Sequence, residues 1–260
     1  MAERNRKHGS ASGGRLPPQT GRPRATPRMN RDATSVTMKP NSNHSIGILF
    51  DMDGVLVDSA KPHLESWKQL AGEIGGSVTD AQFAATFGRQ NRDIIPMLFG
   101  PTTDERMRRL SDRKEELYRD LVRQRPPIVG GAIELIDALF DRGVKLAIGS
   151  SGPRANIELV LHGMRVADRF HAVVSADDVT RGKPDPQVFA IACRRLNLHP
   201  SRCVVIEDAP VGIDAAKAAG TRAVAVLMHH PREAFPTADR IVERLHNIAV
   251  GDLISLAHGA

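Results

Sequence analysis

From residue 46 onward the chain alternates short, nearly continuous apolar runs with longer stretches in which apolar residues return every three or four positions. The runs fall at 46–50, 144–148, 171–174, 203–206 and 223–227. Runs this short and this continuous suit strands buried on both faces of a parallel sheet, rather than half-exposed strands that alternate polar and apolar. Between them, 131–141, 154–163, 186–197 and 211–219 carry helical periodicity, with Gly143, Gly163 and Gly220 in the position of helix stops. Pro153 and Pro186 sit where a first helical turn accepts proline, and Asp185 is available as a cap. Strand and helix in alternation predict an α/β core with right-handed crossovers.

One interval breaks the alternation. Residues 60–127 contain no good strand but show helical periodicity over 62–74, 79–87, 92–98 and 103–122. A loop of that size inside a compact domain would be anomalous, so the interval predicts an all-helical unit inserted after the first strand. Its junctions should fall at 58–61 and 125–129. The expected organisation is a tail over 1–45, a sheet core over 46–60 and 128–260, and a helical insertion over 61–127.

Composition alters this picture only at the N-terminus. With 41% apolar and 25% charged residues the chain has the balance of a globular protein, yet its formal charge is +6. Residues 1–44 hold nine Lys and Arg against Glu3 and Asp32, a net +7; the rest has 27 basic and 28 acidic residues, a net −1. The basicity therefore belongs to the tail. Rich in Gly, Pro, Ser, Thr and Arg and nearly devoid of large aliphatics, the tail cannot bury enough surface to offset its ordering entropy and is expected to be disordered. Three readings of it stay open: a basic arm for RNA, an Arg-rich targeting segment, or a start codon placed too far upstream, with Met29 and Met38 as internal starts. Only ten aromatics occur and none interleave with basic residues, which disfavours nucleic-acid stacking platforms. No stretch approaches the ~18 apolar residues of a membrane span, and a secretory apolar run is missing, so a cytoplasmic address is expected. Cys193 and Cys203 have neither metal-ligand nor C-x-x-C spacing, and both read as small buried residues.

In an open parallel sheet, ligands bind outside the carboxyl ends of the strands. The residues just after the apolar runs are polar: Asp51-Met52-Asp53-Gly54, then Gly149-Ser150-Ser151-Gly152, Lys183 in the loop after the third strand, and Glu207-Asp208. Singly, such an Asp is a turn former or cap, Ser150 a helix N-terminal residue and Lys183 a solvated loop charge. Together they would converge on one crevice. Two carboxylates ~4 Å apart cost on the order of 4 kcal/mol at an effective dielectric of ~20, so something positive must be bound. Lys183 supplies part, and an oxygen-rich cluster with open positions suits Mg²⁺, particularly with phosphate completing the shell. Asp51 and Asp53 face the same way in an extended chain, which allows one to attack phosphorus and the other to handle protons.

The segments ILFDMDGVLVDS (48–59), IGSSGP (148–153), RGKPDPQVF (181–189) and VVIEDAPVGIDAAKAAG (204–220) resemble, in order and spacing, the four motifs of the haloacid-dehalogenase-like phosphatase superfamily. The resemblance covers residues 46 to about 227 and implies a Rossmann-like core. The helical insertion is similar to the C1-type cap of the phosphoglycolate phosphatase and β-phosphoglucomutase branch. The resemblance further implies Asp51 as nucleophile and Asp53 as general acid/base, with the Asp53 carbonyl also on the metal. Asp208 and Glu207 would complete a Mg²⁺ site, and Ser150, Ser151 and Lys183 would hold the phosphoryl group. Asp53 argues against haloacid dehalogenase activity, since that branch lacks the second Asp. Gly152-Pro153-Arg154 departs from the Lys-Asn pair that mutases often carry.

Substrate choice should lie with the insertion. Candidates are His63, Trp67, Arg89, Arg92 and Lys114. His63 and Trp67 lie four apart and share a helix face, although packing explains Trp67 and surface position His63 equally well. Arg89 and Arg92 could bring guanidinium to a second phosphate or a sugar hydroxyl, or serve as capping or surface residues. The expected protein is a Mg²⁺-dependent phosphatase acting on a small phosphorylated metabolite, a sugar phosphate by class, with a phosphosugar mutase as the alternative. It is expected to be a monomer or weak homo-oligomer.

Overall fold

The computed structural model describes residues 45–86 and 89–259. The tail, up to residue 44, lies outside the described residues, as do Phe87 and Gly88 at the end of the helix expected over 79–87. Each of the five apolar runs forms a strand: β1 (Gly47–Phe50), β2 (Lys145–Gly149), β3 (Ala172–Val174), β4 (Cys203–Glu207) and β5 (Arg222–Val226). A sixth, β6 (Arg240–Val242), completes a sheet of order β3-β2-β1-β4-β5-β6 in which every pairing is parallel.

The strand residues are buried on both faces because side chains alternate. Ile48 and Phe50 of β1 join a core with Leu135, Ile136 and Leu139 of α5 (Ala132–Phe140), Ile157, Val160 and Leu161 of α6 (Arg154–Met164), and Leu253 of α9 (Val250–His258). Leu49, between them, joins the opposite core with Val188 and Phe189 of α7 (Gln187–Arg195) and Ile213 and Ala216 of α8 (Pro210–Ala218). Helices thus cover both faces of the sheet.

After β1 the chain forms α1 (Ala60–Glu73), α2 (Asp80–Ala84), α3 (Asn91–Phe99) and α4 (Asp104–Val122). These helices enclose a third core built from Trp67, Leu70, Phe83, Ile94, Ile95, Leu110 and Leu117. Thr79 opens α2 with a capping box closed by Gln82, and the Thr103 hydroxyl accepts from Arg106 N at the start of α4. The two junctions lie side by side: Asp58 N donates to Pro127 O at 2.8 Å, Val129 N to Leu56 O at 2.9 Å, and Val57 pairs with Ile128 in an antiparallel bridge.

Two expectations are corrected. Gly163 does not stop a helix; it lies inside α6 against Pro126, and Arg165, at φ 60°, is the left-handed residue that ends it. The last 30 residues also carry more structure than their pattern announced. β6 is three residues long with Arg240 at its start, the short charged form that an edge strand takes.

Candidate active site

The strand order reverses between β1 and β4, the switch point of this sheet. In register, Phe50 lies opposite Ile206, so the next residues, Asp51 and Glu207, stand side by side at the carboxyl edge, and Asp51 N donates to Ile206 O at 3.0 Å. Lys183, from the loop between β3 and α7, inserts between them. Its Nζ lies 2.6 Å from Asp51 Oδ1 and 2.8 Å from Glu207 Oε1. Glu207 Oε2 accepts from Ala209 N at 2.6 Å. The chain turns away after Asp53 at Gly54, φ 82°, where a Cβ would stand 1.9 Å from Asp208 Oδ2; only glycine fits both the backbone angle and that carboxylate.

Asp51, Glu207 and Asp208 each offer an oxygen within 4.8 Å of the others, and all three are buried. Burial pushes the Asp51 carboxyl up to about 7 against the pull of Lys183. Burial, then the charges of Glu207 and Asp51, push Asp208 well up. Lys183 is also raised, because the two carboxylates outweigh its burial. When ionised, three carboxylates face one ammonium, and Asp208 Oδ2 has no hydrogen-bond partner among the described residues. A buried charge excess with an orphaned oxygen is what a divalent cation relieves, so these residues fit a metal.

A second group adjoins the first. Asp53 Oδ1 accepts from Ser59 Oγ at 2.5 Å and lies 3.2 Å from His63 Nε2. Lys114 Nζ lies 2.7 Å from His63 Nδ1, and His63 stacks on Tyr118 with ring centroids 4.0 Å apart. An ammonium can only donate, so His63 Nδ1 accepts and Nε2 carries the hydrogen that faces Asp53. Burial works to raise the Asp53 carboxyl, but His63, Ser59 and Lys114 together outweigh it and hold it below the ordinary value.

The residues singled out in the sequence therefore meet. Asp51, Asp53, His63, Trp67, Arg89, Lys114, Ser151, Lys183, Glu207 and Asp208 line one crevice. Ser150 is buried and is not among the residues that line the crevice; its Oγ accepts from Gly152 N at 3.0 Å. Trp67 takes both readings at once, packed in the core of α1–α4 while bordering the crevice, with Lys114 Nζ 5.3 Å from its ring. Arg92 takes the second of its two readings, a surface role. It is not turned to a phosphate: NH1 donates to Thr180 O at 2.6 Å, NH2 to Val179 O at 3.3 Å and Nε to Gln90 Oε1 at 2.6 Å, so its guanidinium fastens α3 to the loop that leads to Lys183. Ser59, Tyr118, Glu115 and Asn156 went unnoticed in the sequence. Tyr118 had a signal, since it lies four residues after Lys114 on α4 and shares its face.

The haloacid dehalogenase-like hydrolase family matches residues 48–226, and the chain belongs to it. Validoxylamine A 7'-phosphate phosphatase of Streptomyces hygroscopicus subsp. limoneus is 34% identical over 77% of this chain and 94% of that protein. Beta-phosphoglucomutase of Bacillus subtilis (strain 168) is 30% identical over 76% of this chain and 93% of its own length. A crystal structure of beta-phosphoglucomutase from Clostridium difficile shares the fold, with a TM-score of 0.75 at 23% identity over 83% of this chain and 98% of that one. Within the family, the chain is an enzyme of the phosphoric monoester hydrolase kind. Among the described residues, no helix is long and apolar enough to cross a membrane.

Proposed function

We propose that the protein is a Mg²⁺-dependent phosphatase of a small phosphorylated metabolite, a sugar phosphate by class, acting through an aspartyl-phosphate on Asp51. The observation that carries the reading is the buried set of Asp51, Glu207 and Asp208 with the Lys183 ammonium between the first two. An Asp51 oxygen attacks phosphorus and the bond to the ester oxygen breaks, while Asp53 gives its proton to the departing alkoxide. Water then attacks the same phosphorus, Asp53 takes its proton, and the bond to Asp51 breaks to release phosphate. The ordinary tendency of Asp53 in this crevice is to stay ionised, which suits the second half; the negative charge of a bound phosphate ester raises it for the first. Lys183 and Ser150, with Ser151 at the crevice wall, hold the phosphoryl oxygens.

Asp51 and Asp208, Glu207 and the Asp53 carbonyl would hold Mg²⁺, which supplies positive charge to the phosphoryl oxygens and lets a carboxylate approach them. In this reading residues 61–127, which hold nearly all of α1–α4, form a cap that selects the substrate with His63, Trp67, Arg89 and Lys114. The names of two curated relatives, a phosphorylated carbohydrates phosphatase and a fructose-1-phosphate phosphatase, support a phosphorylated carbohydrate as substrate.

The Bacillus subtilis relative favours a second reading, a mutase that returns the phosphoryl group to sugar. Against it, Gly152-Pro153-Arg154 stands where mutases often carry a Lys-Asn pair, and Arg154 is committed to Asp178 Oδ2 at 2.9 Å. Incubation with β-glucose 1-phosphate and trace bisphosphate separates the two. Inorganic phosphate supports the phosphatase; glucose 6-phosphate without phosphate release supports the mutase. A panel of phosphorylated metabolites with and without Mg²⁺ tests substrate class and metal together.

A further inference from the structure

The carboxylate of Glu115 has no part in the chemistry above, yet it is buried and fully engaged. Its Oε1 accepts from Lys114 Nζ at 2.9 Å and from Asn91 Nδ2 of α3 at 2.7 Å. Its Oε2 accepts from Asn156 Nδ2, which belongs to α6, on the face of the sheet. Asn156 is itself 1% exposed, and its Oδ1 accepts from Arg119 NH1 at 3.1 Å, one turn along α4 from Glu115. A buried carboxylate is strongly disfavoured without donors; Lys114 and Asn91 come from the helical unit itself, and the Asn156 amide is what α6 adds, a bond that forms only while α4 is seated on α6.

The same carboxylate begins a path back to the reaction. Lys114, held by Glu115, donates to His63 Nδ1, and His63 Nε2 reaches Asp53 Oδ1. The path leaves the sheet domain at Asn156, crosses α4 and α1, and returns to the loop after β1.

We infer that Glu115 and Asn156 are positioning residues: their hydrogen bond, made only when the helical unit is seated, aligns Lys114 and His63 so that Asp53 points at the leaving oxygen. The inference rests on the reading of Asp53 as the acid of the reaction. It differs from simple fastening of two domains, because fastening alone would affect all esters alike.

The test uses leaving groups. p-Nitrophenolate departs without a proton, whereas a sugar alkoxide needs one, and kcat/KM reports the step in which the ester oxygen leaves. The probes are p-nitrophenyl phosphate and whichever of fructose 1-phosphate, fructose 6-phosphate or glucose 6-phosphate the wild type cleaves fastest. Asn156→Asp sets carboxylate against carboxylate. It should lower kcat/KM for the sugar phosphate by about 10- to 100-fold, part of the 10²–10⁴ that an acid supplies, and by no more than about 3-fold for the aryl ester. The double variant Glu115→Gln/Asn156→Asp rebuilds the pair with reversed polarity, the new carboxylate at position 156 accepting from the amide at position 115 and from Arg119, and should restore the sugar phosphate rate to within about 5-fold. Arg119→Met, at a half-exposed position, weakens the pair without burying a charge and keeps the test available if Asn156→Asp does not fold. It should shift the same ratio by a smaller factor. Equal losses on both esters, or an unchanged ratio in every folded variant, overturn the inference and leave the phosphatase reading intact. A wild type that cleaves neither ester removes that reading and this inference with it.

Discussion

His63 Nε2 lies 3.2 Å from Asp53 Oδ1 although the two residues belong to different parts of the fold, one to the first helix of the insertion and the other to the loop after β1. With Lys114 donating to its other nitrogen, the imidazole has a single orientation to offer. His63→Ala should lower kcat on a sugar phosphate by about 10- to 100-fold, as expected when a general acid loses its alignment, while the melting temperature moves by only a few degrees. Steady-state kinetics beside a thermal melt check both.

Asp51→Asn would remove the proposed nucleophile and keep the shape of the site. Turnover should fall below detection on every ester, and mass spectrometry should find no phosphorylated intermediate in the variant. Measurable turnover would remove Asp51 from the role.

The unmatched charge of Asp51, Glu207 and Asp208 makes a thermodynamic claim. Adding Mg²⁺ should raise the melting temperature and EDTA should reverse it; saturation to about 100 times Kd corresponds to about 2.7 kcal/mol. Lys183→Met leaves the three carboxylates without their ammonium and should destabilise the metal-free protein by about 3–5 kcal/mol. Part of that loss should return with Mg²⁺, read as a larger ion-induced shift than in the wild type.

Gly54→Ala tests how closely the loop is built around Asp208. A methyl group there meets Asp208 Oδ2 at 1.9 Å and must hold φ at 82°, so both the carboxylate and the backbone have to move. Stability should drop by about 1–3 kcal/mol, and activity by more than the stability loss explains, because Asp208 is displaced. An active variant of unchanged stability would contradict the packing described.

Asp178 governs part of the acid limb. Arg195, then the Ser175 amide and hydroxyl, hold its carboxyl well below the ordinary value of 3.8. A folded value below the unfolded one means that the contribution is complete above about pH 4 and is lost as pH falls toward the folded value. The stability gap between wild type and Asp178→Asn should therefore be constant from about pH 7 to 5 and narrow between about pH 4 and 2, as urea titrations at stepped pH would read.

The sheet and the crevice were legible because the informative residues follow apolar runs: Asp51, Ser150, Glu207 and Asp208 each come at or just after the end of a strand whose pattern announces it. The helical insertion was legible from a missing strand. What escaped was set by tertiary pairing. Asn156 and Glu115 are 41 residues apart, and neither lies in a pattern that hints at the other. Arg92 stayed open between a phosphate contact and a surface role because a sequence does not show that the carbonyls of Val179 and Thr180 lie within its reach. β6 escaped because three residues at a sheet edge give too short a run to rise above their charged flanks.

The bridge between Val57 and Ile128 has a consequence for how such enzymes diversify. Since the segments entering and leaving the insertion touch, the sheet sees those intervening helices as if they were a short hairpin, and extra length there adds only logarithmically to closure entropy. A cassette of another size or shape could be spliced at the same two positions without breaking the sheet, provided that it brought its own partner for Asp53 in place of His63.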